Sequence, residues 1–279
     1  MSLNVVFTDN WGTLSFLRKE HHIKEMERLE NGNVLVQQPD CSNSREVFDV
    51  SNGLYGLYLD TRTRILATLL AQDADIVMVS GMRPVHFKPH LARFDFLDTI
   101  VLEHGAAIYD KNMQPDPEWK SQMEPDKRQI APMIAFLKSQ GLTLDLKGRD
   151  YAICIRRMDN LNLTPEMFQE LYEKLSLPDG LQKTINVGNI HIFPASAGKE
   201  KAAKYIKVKR QQDQEKTFGI GDDINDLDLL RSIKHPFVLG SGYPEAVKAA
   251  REEGMYLSKG LYFDGINEIL EEIRNRIRA

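Results

Sequence analysis

The 279-residue chain contains only two cysteines, Cys41 and Cys154, and neither has another cysteine nearby. A disulfide framework needs more cysteines than this, and zinc sites need them at short, regular spacings. Both residues are therefore expected to be free thiols. The scarcity of cysteine argues against the disulfide-rich secreted proteins and the structural zinc modules.

Long apolar runs and long runs of one charge are also absent. No apolar stretch approaches the roughly 20 residues that a membrane helix needs, and the start, MSLNVVFTDN, does not look like a signal peptide. Lysine and arginine number 36 against 40 acidic residues, which gives a net charge of -4. We therefore expect a cytoplasmic protein that binds neither nucleic acid nor a membrane and whose partner is a small soluble molecule.

Short apolar segments do recur along the chain, and helical patterns separate several of them. This alternation predicts a parallel sheet with helices on both faces, in which ligands bind beyond the carboxyl ends of the strands. The length of the chain and its 42% content of hydrophobic residues favour two domains. The strands are predicted at residues 4–8, 75–79, 99–102, 216–220 and 236–239.

A different pattern interrupts the parallel-sheet pattern and predicts an inserted α-β-β-α-β-β unit with its own antiparallel sheet. Tight turns at residues 148–150 and at Gly188 separate the paired strands. The helices are predicted at residues 126–139 and 165–175, and the strands at residues 142–146, 151–156, 182–187 and 189–193.

Residues 15–58 are polar and separate the first strand from a helix predicted at residues 60–70. We expect an expanded surface loop with one helical stretch, which would include His21 and His22, and a possible hairpin at residues 34–50. The tail predicts an amphipathic helix over residues 264–277, with Asp264 as its N-cap.

Residues suited to phosphate chemistry follow the predicted strands. The first strand runs into Asp9, whose carboxylate could attack phosphorus, and Gly12 then permits a sharp turn. The second strand ends at Ser80 and Gly81, where a hydroxyl and backbone N–H groups could hold phosphate oxygens. Lys199 lies at the start of another predicted helix, where a cation is favourable only in solvent or beside anions.

The segment GDDIND, residues 221–226, is the most specific of these pieces. It places Asp222, Asp223 and Asp226 directly after an apolar strand. Hard carboxylate oxygens at a strand end, beside a carboxylate from another strand, are the ligands that Mg²⁺ selects. The segment therefore predicts a magnesium site.

Taken in order, these segments resemble the haloacid dehalogenase (HAD) superfamily, with its DxDGT signature, a Ser or Thr after the second strand, a Lys and a GDxxND-type motif. Residues 103–109, EHGAAIY, are similar to the ENGA segment of the subfamily with a large α/β cap, which includes Cof-type, sucrose-phosphate, trehalose-phosphate and mannosyl-3-phosphoglycerate phosphatases. The resemblance covers nearly the whole chain. It implies a Rossmann-like doubly wound parallel-sheet core, residues 1–111 and 194–279, and an inserted α+β cap domain, residues 112–193.

The resemblance also implies roles for single residues at the metal site. Asp9 would be the nucleophile and a Mg²⁺ ligand, and Asp222 and the main-chain carbonyl of Trp11 would complete the metal site. Asp223 and Asp226 would support the site.

A second group of residues would hold the phosphate. Ser80, Gly81, Lys199 and Asn225 would contact it, and Lys199 would also offset the charge on Asp9. Glu103 matches a position of the family's pattern but carries no assigned role.

Trp11 departs from the family's pattern. The family's second aspartate, two residues after the nucleophile, protonates the leaving oxygen and then activates water. An indole cannot exchange a proton in that way because its N–H is only a donor. General acid–base assistance contributes about 10²- to 10⁴-fold, so Trp11 predicts slow turnover rather than loss of binding.

Three hypotheses remain open for this position. The first is that another acid, such as Asp223 or a residue of the 15–58 segment, replaces the missing aspartate. The second is that the chemistry differs, as in phosphonate hydrolases and P-type ATPases, although the chain lacks the DKTGT motif and the transmembrane helices of the pumps and offers no assignable Schiff-base lysine. The third is that the protein is a phosphate-binding or regulatory relative with feeble catalysis.

The expected function is Mg²⁺-dependent hydrolysis of a small phosphorylated metabolite, a sugar phosphate or a phosphoglycerate-linked sugar, by family analogy. Closure of the cap would exclude water and contact the substrate. Residues of the candidate types, however, lie on the solvated surface of a protein more often than in a substrate site. The candidates are Arg83, Lys147, Arg156, Lys183, Asn186 and His191.

Overall fold

A computed structural model describes residues 3–17, 21–31, 33–39, 44–49, 57–186 and 188–279. The strands are β1 (Asn4–Thr8), β2 (Phe16–Leu17), β3 (Lys24–Arg28), β4 (Asn33–Gln37), β5 (Ser44–Asp49), β6 (Leu57–Asp60), β7 (Ala74–Val79), β8 (Thr99–Leu102), β9 (Ala107–Asp110), β10 (Ile153–Ile155), β11 (Leu181–Asn186), β12 (Asn189–Pro194), β13 (Thr217–Gly221), β14 (His235–Val238) and β15 (Tyr256–Leu257). The helices are α1 (Thr61–Leu70), α2 (Pro84–Phe87), α3 (Pro117–Lys127), α4 (Ile130–Ser139), α5 (Pro165–Lys174), α6 (Lys199–Lys209), α7 (Leu227–Arg231), α8 (Pro244–Glu252) and α9 (Tyr262–Arg278).

The largest sheet has seven strands in the order β15-β14-β13-β1-β7-β8-β9. Parallel pairing joins β1 to both β7 and β13, and it continues from β13 to β14 and β15. Because β1 lies inside the sheet and later strands are added on both of its sides, the sheet is doubly wound. The predicted α/β class is confirmed, and each predicted parallel strand is present to within one residue.

Apolar strands form this sheet because helices cover both of its faces. All five residues of β13 are buried, as are four of the five in β1. The long helix α9 buries a stripe of Ile266, Ile269, Leu270 and Ile273 at helical spacing. This two-sided burial keeps the strand ends, rather than the sheet faces, available for polar residues.

The chain divides into two compact units. The first comprises Met1–Val79, Pro89–Ile100 and Ala203–Ala279, and the second comprises Ser80–Lys88 and Val101–Ala202. The division into core and cap domains at residues 111 and 194 stays a prediction.

The segment from residue 15 to 58 does not form the expected loop and helix. Its described residues contribute to a five-stranded antiparallel sheet in the order β2-β6-β5-β4-β3. The expected helix is wrong, because residues 24–28 form strand β3 and His21 and His22 lie in a turn before it. The possible hairpin is confirmed as the antiparallel pair β4–β5. Charged residues mislead here because an edge strand commonly carries charge on its exposed positions.

The second unit contains a three-stranded antiparallel sheet in the order β10-β12-β11. The strand predicted at residues 142–146 is wrong, since only an isolated bridge joins Asp145 to Cys154. The reason is a side chain 17 positions away: Asn160 accepts from Thr143 N at 2.9 Å and donates to Thr143 O at 3.0 Å, taking backbone groups that a strand would use. The helix predicted at residues 126–139 is divided, with α3 ending at Lys127 and α4 beginning at Ile130.

The N-terminus of α9 corrects another prediction. Its N-cap is Leu261 rather than Asp264, which lies inside the first turn. There the carboxylate of Asp264 pairs with Arg45 at 2.5 Å, and a negative charge in the first turn still favours the helix dipole.

The remaining expectations concern the cysteines and the membrane. Cys154 is a buried free cysteine, and Cys41 lies outside the described residues. None of the helices that the structure describes is both long and apolar enough to span a membrane.

Candidate active site

Asp9 and Asp222 follow neighbouring parallel strands of the first unit. Thr8 at the end of β1 is in register with Ile220 of β13, and Asp9 N donates to Ile220 O at 3.1 Å. Both aspartates are buried, with 6% of Asp9 and 3% of Asp222 exposed. Two carboxylates from distant parts of the chain therefore meet at one edge of the sheet, as the sequence predicts.

A third carboxylate, from Asp226, completes a buried acidic cluster. Potential ligand atoms of Asp9, Asp222 and Asp226 lie within 4.8 Å of one another. Burial, followed by the charges of Asp226 and Asp9, raises the pKa of Asp222 well above its usual range. A hard divalent cation fits this donor set, because it would stabilise carboxylates that otherwise repel one another in a buried site.

The turn after β1 is pressed against Asp222. Gly12 has a φ of +81°, and a Cβ at this position would lie 2.1 Å from Asp222 Oδ2, so only glycine fits. Thr13 Oγ1 donates to Asp222 Oδ1 at 2.7 Å. The sequence analysis gives Thr13 no role, although it occupies the threonine position of the DxDGT signature. Trp11 is partly buried within the same turn.

The loop after Asp222 is held by its own acids. Asp226 Oδ2 accepts from the backbone N–H groups of Asp222 and Asp223, each at 3.2 Å. Asp223 Oδ1 accepts from Ile224 N at 2.6 Å, and its Oδ2 accepts from Asn225 Nδ2 at 2.7 Å. Asp223 is thus engaged as a helix cap, which weakens the hypothesis that it replaces the missing acid. Asn225 Oδ1 is buried with no hydrogen-bond partner among the described residues.

Ser80, Gly81 and Lys199 lie in the second unit. Ser80 is 3% exposed, and its Oγ accepts from Met82 N at 3.3 Å, which leaves the hydroxyl proton for an acceptor such as a phosphate oxygen. Lys199 is buried at the first position of α6. The preceding residue, Gly198, approaches Gly105 so closely that a Cβ on Gly105 would lie 2.3 Å from Gly198 O.

The side chains of three of the six predicted substrate residues are engaged with the protein itself. Arg83 Nη1 donates to Asp145 Oδ1 at 2.9 Å and to Lys147 O at 2.7 Å. Arg156 pairs with Asp159 at 2.6 Å. Lys183 donates to backbone carbonyls at the end of α5, among them Leu175 O at 2.7 Å.

The two other substrate candidates from the strands differ from these. His191 is buried, with 7% of its surface exposed. The side chain of Asn186 lies outside the described part of the structure.

Glu103, for which the sequence suggests no role, is fully buried and fixes a loop. Its two carboxylate oxygens accept from Asp150 N and Tyr151 N, both at 2.9 Å. Burial raises the pKa of Glu103, while these two hydrogen bonds act in the opposite direction. The adjacent residue in that loop, Arg149, was missed from the sequence because only a turn is visible there.

Comparison with known proteins gives a family. The family model described as sucrose-6F-phosphate phosphohydrolase matches residues 59–273, which is more than half of the chain and includes the acidic loop but not Asp9. A protein of Nitrosococcus oceani described as HAD-like hydrolase is 23% identical over 231 residues, which are 74% of this chain. The match spans 62% of the length of that relative.

Solved structures show the same fold. The sucrose-phosphatase of Synechocystis, determined with sucrose and phosphate, gives a TM-score of 0.65 at 15% identity, with 98% of this chain and 99% of that chain covered. A sugar phosphatase of HAD subclass IIB gives a TM-score of 0.59 at 15% identity, with 97% and 99% covered. The predicted resemblance to HAD phosphohydrolases is confirmed. The chain belongs to the sucrose-6F-phosphate phosphohydrolase family.

Proposed function

We propose that the protein is a Mg²⁺-dependent phosphatase that acts on a small sugar phosphate through an aspartyl-phosphate on Asp9. The observation that carries this proposal is the meeting of Asp9, Asp222 and Asp226 at the ends of β1 and β13. Membership in a phosphohydrolase family and a fold shared with sugar phosphatases support the substrate class.

The chemistry divides into two displacements at phosphorus. An Asp9 carboxylate oxygen attacks, the bond from phosphorus to the sugar oxygen breaks, and the sugar leaves as an alcohol after taking up a proton. Water then attacks the aspartyl-phosphate and releases inorganic phosphate and Asp9. The Ser80 hydroxyl, the Gly81 N–H and the Lys199 ammonium are proposed to hold phosphoryl oxygens during both steps.

The acidic cluster would hold the metal ion through Asp9, Asp222 and the main-chain carbonyl of Trp11. Bound there, Mg²⁺ would offset the negative charge of the phosphoryl group. Thr13 and Gly12 keep Asp222 in place, and Asp226 keeps the backbone of its loop in place. The chain's own contribution is therefore a prearranged set of oxygen ligands.

Trp11 makes the proton for the leaving sugar the weak point of this mechanism. Asp223 is occupied by its capping contacts, so the described residues around the acidic cluster supply no evident substitute. A leaving group that needs no proton should therefore be released more easily than a sugar. We expect slow hydrolysis of sugar phosphates and faster hydrolysis of p-nitrophenyl phosphate.

The test is phosphate release with Mg²⁺ from a panel of sugar phosphates and from p-nitrophenyl phosphate. Asp9→Asn should abolish both activities. Trp11→Asp should raise hydrolysis of sugar phosphates by up to about 10²- to 10⁴-fold, and that of p-nitrophenyl phosphate much less, because only the sugar needs a proton donor. Equal gains on both substrates would contradict the assignment of a missing acid.

Trp11 also favours a second candidate function, a phosphate-binding protein without turnover. In that case the wild type releases no phosphate from any member of the panel but binds inorganic phosphate and Mg²⁺ in calorimetry. Gain of hydrolysis by Trp11→Asp in an otherwise silent protein would establish this second candidate.

A further inference from the structure

Three arginines of the second unit share one buried carboxylate, that of Asp145. Arg83 Nη1 donates to Asp145 Oδ1 at 2.9 Å, whereas Arg149 Nη2 and Arg156 Nε each lie 3.8 Å from Oδ2. The side chains of Asp145 and Arg149 are 9% and 7% exposed. Arg156 has Asp159 as a second anion at 2.6 Å. Among the three arginines, Arg149 has the most deeply buried side chain, and its positive charge is the least offset by a nearby carboxylate.

Arg149 has donors that the protein leaves unused. Its Nε and Nη1 are buried and have no hydrogen-bond partner within the described ranges, and Oδ2 of Asp145 is likewise unpartnered there. Glu103 does not take these donors, because both of its oxygens accept from the backbone of Asp150 and Tyr151. A buried guanidinium with unused N–H groups costs folding free energy, so such a group is expected where a ligand completes it.

Two buried histidines, His104 and His191, lie in the same cluster as Arg149 and Asp145. The ring centroids of His104 and His191 are 4.6 Å apart, and the residues are 3% and 7% exposed. Nε2 of His104 and Nδ1 of His191 lack a hydrogen-bond partner in the described part of the chain. His191 Nε2 lies 3.8 Å from the Sγ of Cys154. If that thiol donates, the unused Nδ1 carries the ring proton and is a donor.

Burial keeps both imidazoles neutral. It lowers the pKa of His191 to about 3, with the Arg149 charge acting in the same direction. It also lowers the pKa of His104 well below the ordinary range, assisted by the charges of His191, Lys199 and Arg149. Contacts place Arg149 and His191 in one cluster with His104. Arg149 lies 3.8 Å from Asp145, the backbone of Asp145 is bridged to that of Cys154, and the Cys154 Sγ lies 3.8 Å from His191 Nε2.

The cluster adjoins the predicted phosphate-binding residues of the same unit. His104 N donates to Ser80 O at 3.1 Å, and the charge of Lys199 acts on the His104 ring. A substrate whose phosphoryl group is held by Ser80 and Lys199 would therefore bring its other atoms near His104, whose ring lies 4.6 Å from that of His191 in the same cluster.

We propose that Arg149, with the rings of His104 and His191, binds a second oxyanion that the phosphorylated substrate carries. The ligand chemistry is a carboxylate or a second phosphate, because a planar guanidinium offers paired N–H donors that match two anionic oxygens. Sugar hydroxyls alone would not offset the charge of a buried cation. The inference rests on the proposed function only in taking the bound molecule to be a substrate of the enzyme.

The test compares phosphomonoesters in pairs that differ by one anionic group. Glycerol 3-phosphate is paired with 3-phosphoglycerate, glucose 6-phosphate with 6-phosphogluconate, and fructose 6-phosphate with fructose 1,6-bisphosphate. The wild type should prefer the more anionic member of at least one pair by about 10-fold in kcat/KM. The first two pairs report a carboxylate, and the third reports a second phosphate.

Variants assign the preference to Arg149. Arg149→Met should abolish it, and Arg149→Lys should retain part of it, because a lysine keeps the charge but loses the planar fork. Arg157→Met is the matched control, since it removes an exposed arginine of the same unit and should keep the preference. If Arg149→Met does not fold, the wild-type comparison and Arg149→Lys still decide.

Binding separates this inference from the proposed function. Calorimetry with the Asp9→Asn variant measures the affinity for each pair without turnover. A preference that depends on Arg149 in binding supports the inference even if the wild type hydrolyses nothing, which would overturn only the phosphatase. No preference in either binding or hydrolysis overturns the inference. The inference is also overturned if Arg149→Met lowers the affinity and kcat/KM equally for both members of every pair, because Arg149 would then act on the phosphate that they share.

Discussion

At the scale of single residues, the candidate site depends on buried polar groups whose partners are far away in sequence. Asp222 is held by the Thr13 hydroxyl at 2.7 Å and has room only because residue 12 is glycine. In the second unit, His104 and His191 are buried without a compensating acid at hydrogen-bond distance among the described residues. Such groups link stability to pH as well as to function.

The buried histidines should make the protein sensitive to mild acid. Burial lowers the pKa of His191 to about 3, so its ring stays neutral in the folded protein. In the unfolded chain the same ring takes up a proton below about pH 6.5. The free energy of unfolding should therefore decrease as the pH falls from about 6.5 towards about 3. The slope is about 1.4 kcal/mol per pH unit for each such histidine.

Urea unfolding at several pH values between about 7 and about 5 measures this slope. His191→Asn should reduce the slope by about one proton. His22→Asn, which removes an exposed histidine, is the control. An identical slope in the wild type and His191→Asn would contradict the prediction.

At the scale of elements, Asp60 joins helices and strands of the first unit. It is the N-cap of α1 and accepts from Thr63 N at 3.3 Å. Its Oδ2 also accepts from Asn267 Nδ2 of α9 at 3.0 Å and from Arg45 Nη1 of β5 at 3.2 Å. The sequence indicates a helix start at this position, but only the structure connects it to β5 and α9.

Asp60→Ala should destabilise the protein by about 2 to 4 kcal/mol, since it removes a cap and leaves the buried amide of Asn267 with one partner fewer. Asp213→Ala is the control, because Asp213 caps only a short exposed 3₁₀ turn and its loss should cost about 1 kcal/mol or less. The urea midpoints of the two variants provide the measurement. Equal midpoints would show that Asp60 acts as an ordinary cap.

At the scale of the whole molecule, residues more than 200 positions apart, from Asp9 to Asp226, form one acidic cluster. Any cation that binds this cluster in the folded chain, but not in the unfolded chain, must stabilise the fold. This linkage gives a test of the metal site that does not depend on activity.

Mg²⁺ at about 100 times its dissociation constant should raise the free energy of unfolding by about 2.7 kcal/mol. Asp222→Asn should reduce that gain, because it removes one anionic ligand. Asp228→Asn removes an acid of the same region whose side chain is 83% exposed, and should retain the gain. Thermal melting with and without Mg²⁺ measures the effect, and an undiminished gain in Asp222→Asn would remove the cluster as the metal site.

Local pattern was enough to predict the parallel strands and the residues that follow them. Apolar runs identify β1 and β13, and polar residues directly after them identify Asp9 and Asp222. The carboxyl ends of adjacent parallel strands must meet, so this part of the site follows from sequence and topology alone. The roles of Ser80 and Lys199 stay predictions.

The tertiary structure decided what depended on distant partners. Residues 24–28 are a strand because β4 pairs with them, and residues 142–146 are not a strand because the Asn160 side chain takes the backbone groups of Thr143. Arg149 stands in an ordinary turn by sequence, and only burial beside Asp145 and His191 distinguishes it. Sequence determines the strands and their end residues because hydrophobic periodicity is local, whereas burial, charge pairing and unused donors depend on contacts that only the folded chain brings together.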